Sequence, residues 1–161
     1  GYGAGIGDLP SGHGRMKVVR VSNAPIEPAS ELAALAGLGG GALASFTGVV
    51  RDDGGVSAIE LEHYPGMTEA SLHSLIEAAT ARWSLLGAVV THRVGIVAVG
   101  APVVVVGAAS LHRAEALEAT AFLIDRLKTE APFWKRAHYA DGTAKWIDAK
   151  ASDDTRSERW T

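Results

Sequence analysis

The chain contains no cysteine, which excludes a disulfide framework, a thiolate metal site and a cysteine nucleophile. Any sulfur chemistry must therefore use sulfur carried in by another molecule. A basic excess is also missing. The formal net charge of -3 argues against a nucleic-acid protein, because gripping a phosphate backbone takes many cations, yet it leaves room for a local basic pocket. The N-terminus has no basic segment followed by an apolar one, so it does not read as a secretory signal. One uncharged stretch, residues 94–111, approaches the roughly 18 residues that raise the question of a membrane span. Gly95, Gly100, Pro102 and Gly107 interrupt it and valine dominates it, which suits strands. A cytoplasmic protein is expected, without membrane or nucleic-acid partners. Metal-ligand spacing is absent as well: His63, His92, His112 and His138 form no recognisable ligand pattern, and His63 reads as a partly buried structural histidine. The glycine run from Gly37 to Gly41 joins a helix to a strand, the wrong order for a phosphate loop. No metal or resident cofactor is expected.

What is present fits one domain. At 161 residues the chain is long enough to bury a real core. Residues 1–15, rich in glycine and without hydrophobic periodicity, read as a leader before a natural start at Met16, leaving residues 16–161 as the domain. Pro28 to Ala36 predicts a short helix with proline in its first turn. Ala42 to Arg51 and Ile59 to Tyr64 predict strands of a hairpin around Asp52-Asp53-Gly54-Gly55. Leu72, Leu75, Ile76, Ala79 and Trp83 share one face of a helix that follows Pro65-Gly66. Ala88 to Val94, Ile96 to Val99 and Val103 to Ala109 predict further strands, with Gly100-Ala101-Pro102 as a turn. Ala114 to Thr129 predicts a second long helix stopped at Ala131-Pro132. Arg136 to Tyr139 and Lys145 to Ala149 predict a last hairpin around Asp141-Gly142, and residues 152–161 read as a tail or a partner-docking segment. This irregular order of strands and helices favours an α+β fold, mainly antiparallel, over a doubly wound sheet.

Lys128 stands out among the charged residues. At 100° per residue Leu117, Ala121, Ile124 and Lys128 fall in one arc of the second long helix. Such a lysine either snorkels from the last turn and complements the helix dipole, or lines a cleft whose apolar walls favour a nucleophile or proton carrier. At the other end of that helix, His112 and Arg113 stand where free N–H groups already favour an anion; they equally suit an ordinary surface. Phe133, Trp134, Lys135 and Arg136 form either a ring-binding wall with cations for an anionic ligand or a hydrophobic plug. Arg51 is a strand-end cation.

These pieces, taken together, resemble the large, catalytic subunit of molybdopterin synthase. The resemblance is carried by Ser45-Phe46-Thr47-Gly48-Val49-Val50-Arg51, Leu61-Glu62-His63-Tyr64-Pro65-Gly66-Met67, His92-Arg93-Val94-Gly95, Ser110-Leu111-His112-Arg113 and Leu127-Lys128 through Pro132-Phe133-Trp134-Lys135, in that family's order and approximate spacing. It implies an α+β fold with an α/β-hammerhead element and a homodimer within a heterotetramer. A small ubiquitin-like subunit would bind at each end, its C-terminal thiocarboxylate supplying the sulfur. The implied substrate is cyclic pyranopterin monophosphate and the product molybdopterin. By resemblance Lys128 and Lys135 fall at the reacting centre, and Arg51, His112 and Arg113 at the substrate's phosphate and pterin. Phe46 and Trp134 would shape the pocket. Two positions depart from the pattern: Ala137 where many relatives carry glutamate, and Lys150 where an arginine is common. Lys150 would bind the anion without arginine's bidentate fork. The competing readings are a non-catalytic adaptor that docks the partner's C-terminus, and a Schiff-base enzyme using Lys128.

Overall fold

Residues 15–147, together with Glu158 and Trp160, are described in a computed structural model of the chain. The elements, in order, are β1 (Met16–Ser22), α1 (Pro28–Ala36), β2 (Ala42–Val49), β3 (Val56–His63), α2 (Met67–Arg82), β4 (Gly87–Arg93), β5 (Gly95–Ala98), β6 (Pro102–Ser110), α3 (Arg113–Glu130), β7 (Phe133–Tyr139) and β8 (Ala144–Ile147). They build an α+β fold with two four-stranded sheets, ordered β1-β4-β6-β2 and β5-β3-β7-β8. Among the described strands only β1 and β4 pair in parallel; the other pairs are antiparallel.

The first sheet is covered on both faces, which explains why β4 and β6 read as unbroken apolar runs instead of alternating ones. Ala88, Val90, Val104, Val106 and Ala108 pack against Leu72, Leu75, Ile76 and Ala79 of α2 and Ala119, Phe122, Leu123 and Leu127 of α3. On the opposite face Val89 and Ala109 meet Leu32 and Leu35 of α1. Gly107 lets α1 come close: a Cβ there would stand 2.7 Å from Leu32 Cδ2 and 3.1 Å from Leu35 Cδ1. Val50, Leu61 and Val97 form a smaller core beneath the second sheet, with Ile59, Val94, Ala101 and Val103 around it.

The expected hairpin between β2 and β3 does not form; the two strands lie in different sheets. β2 takes the long ladder along β6. β3 finds its partner in β7, where Glu60 of β3 meets an arginine and a histidine: it stands 3.3 Å from Arg136 and 2.7 Å from His138. Cross-strand pairs of this kind stabilise a register that a local turn alone cannot hold. Likewise Gly100, at φ 86, makes the expected turn, but that turn carries the chain from one sheet to the other. The last hairpin, β7 with β8, is formed; residues 148 and 149 of its expected second strand lie outside the described residues, as do residues 1–14 of the leader. Arg15, placed in the leader from sequence, hydrogen-bonds the Thr80 carbonyl at 3.4 Å.

A rotation separates the expected and observed faces of α3. The buried side is Ala116, Ala119, Thr120, Phe122, Leu123, Asp125 and Leu127. Leu117 is 59 % exposed and Lys128 is exposed, so the lysine stands beside the core-facing stripe, not at its end. Near the C-terminus Trp160 packs on Trp83 and Phe122 and donates its indole N–H to Asp125 at 2.7 Å. That part of the tail therefore docks on its own chain. Among the described residues no helix is long and apolar enough to cross a membrane.

Candidate active site

A cavity of about 620 Å³ opens between the two sheets at the C-terminal end of α3, within the range that holds a small organic ligand. Among the described residues three cations line it, Arg51, Lys128 and Lys135, against one carboxylate, Asp53. A chain with a net negative charge thus keeps a locally positive pocket.

Each cation arrives by a different route. The Val50 N–H donates to the Ala101 carbonyl at 3.0 Å and the Gly100 N–H donates to the Val50 carbonyl at 2.7 Å. This double link pins the chain at the junction of the sheets and sets Arg51 as the next residue. Arg51 Nη2 lies 3.4 Å from Asp53, and both side chains are largely exposed, so the pair holds the guanidinium weakly. Lys128 comes from the last turn of α3. Lys135 comes from β7, where side chains alternate between the two faces of the sheet: Phe133, Lys135, Ala137 and Tyr139 line the cavity. The start of β7 is held by Thr68, fully buried at the first turn of α2, whose hydroxyl donates to the Pro132 carbonyl at 3.2 Å.

The same alternation turns Trp134 away. It is 40 % exposed and meets the Tyr64 ring edge-on at 4.4 Å, so the aromatic wall of the cavity is Phe133, not Trp134. Phe46 does not line the cavity either; it is 41 % exposed on β2, an edge strand of its sheet. His112 and Arg113 are exposed at the N-terminus of α3. The helical rise of 1.5 Å per residue puts them roughly 23 Å along α3 from Lys128, which stands in its last turn. Lys150 lies outside the described residues. Ala137 presents only a methyl group to the cavity, so no carboxylate acts from that position.

Sequence reasoning weighed His92 only as a metal ligand and gave it no place in the site, yet it lines the cavity. It is 4 % exposed and its ring stacks on Phe133 with centroids 3.9 Å apart and planes 20° from parallel. Burial pushes the imidazole down to about 4 from an ordinary 6.5; Lys135, Lys128 and His63 push the same way, and a hydrogen bond to the Arg93 backbone opposes them. The available signal was its place at the end of an otherwise apolar strand, the same signal a structural core histidine carries. Among the described residues no cluster of three or more histidine or carboxylate side chains is arranged to hold a metal ion.

Cations from a loop, a helix and a strand around one organic-sized cavity suit an anionic substrate such as a phosphate ester. The family model of the MoaE protein matches residues 21–130, and these include Arg51, His92 and Lys128. The chain belongs to the MoaE family. A relative named molybdopterin synthase catalytic subunit, from Ralstonia nicotianae, is 49% identical over 150 residues, covering 90% of this chain and 85% of the relative. Among solved structures, a molybdopterin biosynthesis MoaE protein from Burkholderia ambifaria superposes with a TM-score of 0.78 at 41% identity, over 90% of this chain and 98% of that one. The MoaE fold is also found in a complex of subunits 1 and 2 of molybdopterin-converting factor from Helicobacter pylori. There the TM-score is 0.67 at 22% identity, over 83% of this chain and 90% of that one, a likeness of fold alone.

Proposed function

We propose that this chain is the catalytic subunit of a molybdopterin synthase, a sulfurtransferase. It moves sulfur from the C-terminal thiocarboxylate of a small ubiquitin-like subunit onto cyclic pyranopterin monophosphate, forming the dithiolene of molybdopterin. The observation that carries this reading is the convergence of Arg51, Lys128 and Lys135 on one cavity in a MoaE-family chain. A cysteine-free chain has no sulfur nucleophile of its own, which fits sulfur delivered by a partner.

In this reading the Arg51 guanidinium, only weakly held by Asp53, turns its planar fork to the substrate phosphate. Phe133 offers a flat face to the pterin. Lys128 and Lys135 stand at the reacting carbon and the thiocarboxylate, where an ammonium stabilises developing negative charge and passes a proton during release of the partner's carboxylate. The test mixes this protein with a thiocarboxylated small subunit and the cyclic precursor, and follows molybdopterin by fluorescence of its oxidised derivative. Product that depends on this chain is expected. Tight partner binding without product would overturn the enzyme reading in favour of the adaptor.

The homodimer gives His112 and Arg113 a place in the same chemistry. Because they stand roughly 23 Å from Lys128 along α3, the copies that reach a given cavity belong to the second protomer. Two features support such an assembly: β2 is an edge strand, and Leu43, Phe46 and Val49 on it, with Leu117 of α3, are large apolar side chains left exposed. Phe46 then serves the interface instead of the pocket. Mixing Lys128→Ala with Arg113→Ala protein, each inactive alone, is expected to restore activity through hybrid dimers that carry one intact cavity. No recovery after verified subunit exchange would rule out a shared site.

A further inference from the structure

The two nitrogens of His92 have different surroundings. Nδ1 lies 2.8 Å from the Arg93 carbonyl oxygen. A carbonyl only accepts, so Nδ1 carries the proton and, in the neutral ring, Nε2 is left as a bare acceptor. Nε2 meets no donor among the described residues and is not one of the sealed, unsatisfied atoms, although the residue as a whole is 4 % exposed. His92 lines the cavity, and that is where this acceptor is left open. Stacking on Phe133 at 3.9 Å and the Nδ1 bond together fix the ring in plane and in tautomer, leaving it little freedom to turn.

An acceptor held this rigidly in a cavity of cations has an obvious class of donor. Lys128 and Lys135 are the ammonium groups that line the cavity; Arg51, Asp53 and Tyr139 line it too, and His63 adds its influence from β3. Lys135 has the geometric claim. It is two residues beyond Phe133 on the same face of β7, about 7 Å along the strand, and Phe133 is the ring on which His92 lies. A lysine stem spans that distance.

We infer that His92 is a positioning residue for the sulfur transfer: its Nε2, which no described side chain engages in this conformation, is the acceptor to which the Lys135 ammonium turns as the cavity works, and it sets where that group stands. The neutral ring does this without adding a further positive charge beside the lysines. The role rests on the synthase reading of the cavity for its kinetic consequence, while the hydrogen bond itself does not.

Two measurements test it. In protein labelled with nitrogen-15 histidine, two-bond nitrogen–proton correlation at pH 7 is expected to show His92 protonated at Nδ1 and bare at Nε2. Lys135→Met, which keeps the stem, is expected to move the Nε2 resonance, and Lys128→Met to move it less. A proton on Nε2, or an Nε2 resonance indifferent to Lys135→Met, would overturn the inference whether or not the protein is a synthase. In the reconstituted assay His92→Phe keeps the stacked ring and removes the acceptor. Its kcat is expected to fall about 20-fold, the size of a lost hydrogen bond to a charged group, with KM for the cyclic precursor little changed. His92→Gln, which returns an acceptor near the Nε2 position, is expected to regain part of that loss. A folded His92→Phe protein with unchanged kcat reduces His92 to packing. Should that variant not fold, the resonances of His92 in wild-type and Lys135→Met protein decide. Absence of product from the wild-type protein would count against the synthase reading alone.

Discussion

Lys128→Ala is expected to lower turnover by about 1,000-fold, within the range for loss of a positioned proton-transfer group, with the fold intact. The fold is expected to survive because the helix does not use this side chain for packing: α3 buries Ala116, Ala119, Phe122, Leu123 and Leu127, and Lys128 is exposed. Its removal takes from the last turn a cation that complements the helix dipole, worth about 0.3–1 kcal/mol. Such a loss leaves the folded population nearly unchanged. A large fall in kcat is therefore a statement about chemistry. Lys128→Arg separates the two contributions of the lysine, since a guanidinium keeps the charge and does not give up its proton. It is expected to restore precursor binding without restoring kcat. Steady-state formation of molybdopterin, with circular dichroism to verify folding, measures all three proteins. Wild-type kcat in a folded Lys128→Ala protein would remove this residue from the mechanism.

Stability is expected to fall by about 3 kcal/mol between neutral pH and pH 4 because of His92. In the folded protein burial, above all, holds the imidazole down to about 4, whereas its ordinary value is 6.5. Between those values the unfolded chain binds the proton and the folded chain does not. Acid therefore draws the equilibrium toward the unfolded state across that window. Above pH 6.5 both states leave the ring neutral and no stability is lost; below pH 4 both are protonated and the loss is complete. Urea unfolding at a series of pH values across this window reads the slope, and His92→Phe, which has nothing to titrate, is expected to flatten it. An equal slope in both proteins would place the acid sensitivity elsewhere.

Much of the architecture was legible from residues alone. The face of α2, with Leu72, Leu75, Ile76 and Ala79 buried, follows from periodicity, the α1 bounds from its proline start and the glycine after Ala36, and the final hairpin from the Asp141-Gly142 turn. α3 is less direct. It is rich in alanine and leucine, so Leu117, Ala121 and Ile124 make one plausible apolar arc while Ala116, Ala119, Leu123 and Leu127 make another, and sequence does not say which meets the sheet. Strand pairing is a further step removed. Both β2 and β3 are good strands beside a good turn, yet each pairs elsewhere, because the long β6 ladder and the Glu60 contacts with Arg136 and His138 are non-local and have no trace in the turn.

The division within the candidate site has the same origin. Sequence by itself determined the α+β class, the absence of an internal thiol, and the candidacy of Arg51, Lys128 and Lys135 as cations for an anionic ligand. Only the tertiary structure decided that these three share one cavity, that Trp134 turns away from it and that His112 and Arg113 stand at the far end of α3. The physical reason is parity and direction. Alternation on β7 says that Lys135 and Trp134 face opposite ways but not which of them faces in, and that is settled by pairing with β3, residues distant in sequence. His92 shows the same limit: its composition is that of a core histidine, and its bare Nε2 becomes visible only once Arg93 and Phe133 are in place around the ring.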